Sequence, residues 1–123
     1  VVLAGANHRT LVKCRRMAPD MASGFSQIEI AQMLFALHSG IKTLAPRGGN
    51  VFQIPLSTKM VAVYSKKFLN LSHKLSKHLH VWTINDEETM KALVLDGVDG
   101  IVTDNPQMLF NIASGLNKLG RKI

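Results

Sequence analysis

The sequence predicts an α/β protein with a parallel sheet, corresponding to about half of a (β/α)8 barrel. Short apolar runs alternate with helical patterns along the whole chain, and the links between them are short, as in βαβ units. Crossovers of that kind are right-handed, so the helices gather on one face if the sheet curls. A complete barrel needs at least about 200 residues, and this chain has 123. One domain spanning 1–123 is therefore expected, with two unpaired parallel edges and an open apolar face.

The elements follow in order. Residues 1–6 are an apolar run suited to a buried strand, closed by Asn7. The next ten residues place Leu11, Val12 and Met17 on one side of a helix and basic residues on the other, and Pro19 ends it. Residues 21–25 suit a second strand, and 27–38 a helix stopped by Ser39 and Gly40. A loop over 42–50, carrying Pro46 and the Gly48–Gly49 turn, leads to an extended piece at 51–55. Ser65 caps a helix expected to run to Leu79, with Phe68, Leu71, Leu75 and Leu79 as its buried stripe. A strand at 80–84 precedes Asn85 and Glu88, whose spacing is that of a capping box, and a helix burying Met90, Leu93 and Val94. Asp96 and Gly97 stop it. A last strand at 100–103 is followed by Asn105 as cap, Pro106 at the first helical position, and a helix to about Leu119.

Composition narrows the function. Hydrophobic residues make up 46% of the chain and charged residues 19%, enough for a packed core and too few charges for a disordered polyelectrolyte. No apolar stretch approaches the roughly 20 residues of a membrane helix, and no signal peptide is recognisable. The chain starts at Val1 with residues that already read as strand, which suggests a piece of something larger, so localisation is left unassigned. The formal charge is +7. It is uneven: residues 1–80 hold eleven Lys and Arg against two acids, whereas 81–123 hold four against six. The clusters at Arg9, Lys13, Arg15, Arg16 and at Lys66, Lys67, Lys74, Lys77 fall at helical spacings and read as solvated faces. With one Trp and one Tyr for stacking, and no recognition motif, nucleic acid is not expected as a partner.

In a parallel barrel, functional groups sit where strands end at the C-terminal face. Trp82 and Asn85 end one expected strand, and Thr103 and Asp104 the next. Trp82 fits either a core aromatic or a pocket wall. Asp104 fits either a capping acid before Pro106 or a ligand-facing group, and Asn85 reads as a helix cap.

The run HVWTIN at 80–85, the acidic segment DEETM at 86–90 and the run DGVDGIVTDNP at 96–106 resemble the C-terminal signature of glycerophosphodiester phosphodiesterases. Phe52–Pro55 and the basic helix before the Trp82 strand are also similar to that family. The resemblance implies barrel strands five through eight of a TIM (β/α)8 barrel, with Val1–Ala4 as the fifth. It implies hydrolysis of a glycerophosphodiester to an alcohol and glycerol 3-phosphate, in lipid and glycerol metabolism, with Trp82 packing against the glycerol or the leaving group. It also implies a divalent metal, Mg or Ca, in the complete enzyme, none being bound by this chain alone. The family's metal-binding carboxylates and its acid–base histidines belong to the first four strands, and their motifs are not in this sequence. Asn7-His8-Arg9-Thr10 offers His-Arg, but Thr10 stands where the family has glycine, and His8 receives no catalytic role. Gly5-Ala6 replaces the family's Ser-Phe. No catalytic residue and no metal ligand is assigned, and the chain is expected to be inactive alone.

Other constellations point elsewhere. His73, His78 and His80 lack an acidic or thiolate neighbour in sequence, and the first two fall on different faces of the expected helix, so they read as a solvated cluster. Cys14 reads as an incidental thiol, and Asp86, Glu87 and Glu88 as first-turn acids. Two rival readings remain: a non-catalytic half barrel that pairs with an N-terminal half or self-associates through its open edges, and a basic anion-binding module, which predicts steep salt dependence.

Overall fold

The structure is a computed structural model that describes residues 1–5 and 7–118. Three strands, β1 (Val51–Ile54), β2 (His78–Val81) and β3 (Gly100–Ile101), form a parallel sheet in that order. Single parallel bridges continue it from β1 outward, Gly24 to Val51 and Ser23 to Leu3. Five segments thus lie side by side in sequence order, one more than an assignment to strands five through eight provides. Residues 1–5 and 21–25 take part through these bridges alone, with Leu3 donating to the Ala22 carbonyl and Gly24 to that of Leu3, both at 2.8 Å. Their weak pairing follows from glycines at positions 5 and 24, which leave little side chain to pack.

Register divides the sheet into two faces, because parallel partners point the same way. Phe52 pairs with Leu79, and Ile54 with Val81, and these bury against the helices. Phe25 stacks on Phe52 at 3.9 Å between ring centroids, and Phe68 meets Phe52 edge-on at 5.2 Å. The other face carries Gly24, Val51 and His78 in one row and Gln53, His80 and Gly100 in the next. That face is more polar than the open apolar face expected from sequence. At Gly100 a Cβ would stand 2.7 Å from the His80 ring, so glycine makes room for the imidazole.

Helix α1 (His8–Met17) has the expected bounds, capped by Asn7, whose side chain accepts from the Thr10 amide. Its burial differs from expectation. Leu11 is buried but Met17 is exposed, and Arg15, assigned to the solvated face, turns inward to Glu29. Helix α2 (Gln27–Ser39) is apolar on all sides, yet Met33 and Ala36 are its fully buried apolar residues, and Ile28 and Phe35 face out. Helix α3 (Lys66–Lys74) is shorter than the run to Leu79 predicted from its stripe. Ser76 adopts φ 56° and the Lys77 amide bonds back to the Ser72 carbonyl at 2.9 Å, which closes the helix as a left-handed cap does. Leu79 belongs to β2, where it is fully buried.

Helix α4 (Glu87–Asp96) is capped by Asp86, which accepts from the Thr89 amide at 2.9 Å, and not by Asn85. Gly97, at φ 87°, ends it in a conformation that costs most other residues energy. Helix α5 (Pro106–Lys118) starts as predicted, with Asn105 accepting from the Met108 amide. The expected end at Leu119 lies outside the described residues. A second apolar cluster joins Val81 and Ile84 to Met90, Leu93, Ile112 and Leu116. Among the described residues no helix is long and apolar enough to cross a membrane.

Candidate functional site

The parallel register sends the C-terminal ends of all five segments to one side, and a cleft of about 740 Å³ opens there. Residues at the ends of the first three segments, Gly5, Phe25 and Pro55, line it together with Trp82 beyond β2. Helix α2 forms one wall through Ile30 and Leu34, and the segment after β1 forms another through Val61 and Val63. Trp82 is 43% exposed. It therefore stands as a cleft wall and not as a core aromatic, and it also lines a smaller neighbouring cleft of about 340 Å³ with Pro55 and Thr83. Its amide is held by the Ile54 carbonyl at 3.0 Å, which fixes the backbone where the strand runs out.

Asn85 fastens the two C-terminal strand ends to each other. Its Nδ2 donates to Asp104 at 2.7 Å, and its Oδ1 accepts from the Asp104 amide at 3.0 Å and from Thr103 Oγ1 at 3.2 Å. The sequence reading of Asn85 as a cap is thus displaced by one residue: Asp86 caps, and Asn85 is released to bridge. Bonds from the hydroxyl and amide of Thr89 hold the Asp86 carboxyl below the usual carboxylate range. Asp104 is exposed, and its carboxylate is engaged by Asn85.

A second polar group lies under the N-terminal side of the sheet. His8 Nδ1 is 2.9 Å from Ser26 Oγ, and Ser26 shares a capping box with Glu29. Arg15 closes the group, with its guanidinium 2.7 Å and 3.0 Å from the two Glu29 oxygens, 2.9 Å from Ser23 Oγ and 2.6 Å from the Gly24 carbonyl. Burial pushes the Glu29 carboxyl up, but Arg15 and Ser26 outweigh it and hold the group below its ordinary value. These bonds account for the polar atoms of the group, and they fasten α1 and α2 to the bridges at Ser23 and Gly24.

The histidine cluster sits at the opposite side from the cleft, at the N-terminal ends of β2 and β3. Asp99, distant in sequence, supplies the acidic neighbour absent from the local pattern: it lies 2.9 Å from His73 Nε2 and 3.4 Å from His78 Nδ1, and accepts from the Leu79 amide at 2.8 Å. Burial pushes Asp99 up, but the Leu79 amide and the two imidazoles prevail and lower it. His80 stands apart on the inner face, where burial, opposed by Asp99 and reinforced by His78, lowers its pKa. Gln53 and His80 were missed as inner-face polar residues. The signal was there, since each stands between apolar neighbours at strand period, in VFQI and HLHV.

The residues at the strand ends do not fit a divalent ion. Among the described residues no group of three or more His, Cys, Asp or Glu side chains converges to hold a metal. The Asp104 carboxylate, just beyond β3, bonds to an amide and not to a second acid.

Fold and cleft define a parallel α/β protein of the barrel-wall type, with its candidate site at the C-terminal strand ends. The sequence model of the glycerophosphoryl diester phosphodiesterase family matches residues 1–108, and the chain belongs to that family. A glycerophosphodiester phosphodiesterase from Caldanaerobacter subterraneus subsp. tengcongensis is 28% identical over 116 residues, covering 91% of this chain and 42% of the relative. The chain thus spans about two fifths of that relative's length. Among solved structures, a candidate glycerophosphoryl diester phosphodiesterase from Silicibacter pomeroyi DSS-3 superposes with a TM-score of 0.70 at 24% identity, covering 94% of this chain and 38% of the other. A phosphodiesterase from Oleispira antarctica, solved with the product sn-glycerol-3-phosphate, superposes with a TM-score of 0.67 at 18% identity, covering 92% and 41%. These two likenesses show the fold, an α/β arrangement of parallel strands and helices like that of the family's barrel proteins.

Proposed function

We propose that this chain is the C-terminal part of a phosphodiester hydrolase that converts a glycerophosphodiester and water to an alcohol and glycerol 3-phosphate. Water oxygen bonds to phosphorus, the bond from phosphorus to the alcohol oxygen breaks, and the alcohol leaves with a proton. Trp82 carries the reading: in a chain of this family, it walls a cleft at the C-terminal strand ends. There it would pack against the glycerol or the leaving group, held in place by the Ile54 carbonyl. With five parallel segments in sequence order, the proposed placement becomes strands four through eight and not five through eight. The acid, the base and the ligands of a divalent ion, Mg or Ca by family resemblance, would lie outside this chain. The remaining barrel strands are the proposed partner of its edges.

The test compares this chain with the longer product encoded by its gene, measuring glycerol 3-phosphate released from glycerophosphodiesters. The expected result is no turnover by the chain alone and chelator-sensitive turnover by the longer product. In the longer product Trp82→Ala should raise KM about tenfold with kcat nearly unchanged, the signature of lost binding common to ground and transition states. Turnover by the 123 residues alone, or none by the longer product, overturns the proposal.

A further inference from the structure

The proposed reaction makes no use of the uneven charge of the chain. Residues 1–80 hold eleven Lys and Arg against two acids, Asp20 and Glu29. Glu29 is buried and bound by Arg15, so Asp20 is the one carboxylate this part presents at its surface. An anionic partner is therefore favoured on this side of the molecule.

The turn after β1 sets one of these cations among exposed apolar atoms. Ser57 and Ala62 form an antiparallel bridge, and Thr58 ties the tip between them. Its amide donates to the Val61 carbonyl at 2.8 Å, and its Oγ1 accepts from the Val61 amide at 3.1 Å. This ordered turn holds Met60 out at 92% exposure beside the exposed Lys59. β1 is the third of the five parallel segments, so its turn lies away from both open margins. The exposure of Met60 is therefore not that of an edge awaiting its next strand. Two further exposed apolar side chains stand at the same end. Ile28 follows Gln27 of the cleft on the first turn of α2, and Trp82 shares the smaller cleft with Ser57. A methionine tip, an aliphatic side chain and an indole around an ammonium suit a bilayer: the tip enters the acyl boundary, the indole sits at headgroup level and the cation meets lipid phosphate. A convex tip needs a groove in a protein partner, whereas a bilayer deforms around it. The acids at this end fix the orientation. Asp86, Glu87, Glu88 and Asp104 all follow β2 or β3, so an anionic surface is repelled on the α4 side and drawn to α2 and the turn.

We infer that the turn at 57–62, with Ile28 and Trp82 beside it, docks the chain on a bilayer that carries anionic lipid. Met60 enters the boundary between headgroups and acyl chains, and Lys59 pairs with lipid phosphate. The inference concerns the surface on which the chain sits, and it holds whether or not the phosphodiester reading does.

The experiment sediments the chain with large vesicles of phosphatidylcholine alone and of phosphatidylcholine mixed with phosphatidylglycerol, at low and at physiological salt. The expected result is partition into the mixed vesicles that weakens as salt rises, with little into phosphatidylcholine alone. Lys59→Gln should weaken partition about fivefold, the factor roughly contributed by one cation near such a surface. Met60→Ser should weaken it about tenfold through lost apolar contact, at low and physiological salt alike. Met17→Ser serves as the control, because Met17 is also well exposed but lies at the far end of α1, and it should leave partition unchanged. Circular dichroism should be the same for all three variants, since each changes an exposed side chain. No partition into either kind of vesicle, or equal partition into both, overturns the inference. So does a Met60→Ser variant that partitions like the wild type or loses no more than Met17→Ser. None of these outcomes bears on the release of glycerol 3-phosphate, which tests the phosphodiester reading separately.

Discussion

The two margins of the sheet are held by different physics. At the margin near Leu3 the pairing is one bridge wide, and the segments around it are fastened by a buried ion pair, Arg15 to Glu29, that reaches the backbone at Gly24. At the other margin β3 is also short, but Ile101 packs on the apolar cluster of α4 and α5 beneath the sheet and Asn85 ties the loops above it. One margin depends on a few directional charges, whereas the other depends on area removed from water with polar links at its rim. Directional contacts fail singly, whereas distributed apolar burial loses a little at a time.

That contrast is broken most directly at Arg15. Arg15→Met leaves Glu29 buried without its partner, and should cost about 3 kcal/mol in urea unfolding. Adding Glu29→Gln should restore part of the loss, because the uncompensated charge is gone. If the single variant unfolds at the wild-type midpoint, the ion pair is not what holds that margin. Asn85→Ala tests the other margin, where three exposed bonds go but no apolar area does. The expected loss is about 1 kcal/mol, together with faster hydrogen exchange at the Asp104 amide, while α4, capped by Asp86, keeps its protection.

The smallest effect is in pH. His80 has a folded pKa below its ordinary 6.5, so its contribution is complete above that value and is lost as pH falls through the lower, folded one. Glu29 and Asp99 are likewise lowered, from 4.5 and 3.8, and their contributions are present above those values and lost below them. Stability should therefore fall in two stages on acidification, and His80→Gln should remove the first. A single acid transition, identical in the variant, would break the assignment of the upper stage to β2.

What was legible in the sequence follows the same division. The strand read at 80–84 lies at His78–Val81 instead, but the stretch from α4 to the start of α5 was read almost to the residue, because Asp96–Gly97 and Asn105–Pro106 are local stop and start signals acting over a few bonds. The boundary between α3 and β2 was missed because Leu75 and Leu79 continue a helical stripe past Ser76, a residue with no sequence mark of a left-handed turn. Arg15 was misplaced because its partner lies fourteen residues away on another helix, and periodicity carries no information about such pairs. Asp99 was invisible to the histidines for the same reason. At the site, Trp82 was legible as a strand-end residue with two possible fates, but its exposure depends on how α2 and the turn after β1 stand around it. Asn85 and Asp86 are adjacent potential caps, and only the three-dimensional position of Asp104 decides between them.

The side-by-side count of parallel segments has a consequence for closure. An eight-stranded barrel has an interior that its own inward side chains just fill, and diameter grows with every strand added. Five segments in one wall need three more to reach that size. A second copy of the same wall would bring five, giving ten staves, a wider lumen, and too little side chain at Gly24 and Gly100 to plug it. Stoichiometry and strand number thus separate the two ways of closing: a complementary piece makes a filled barrel, and a twin makes a hollow one.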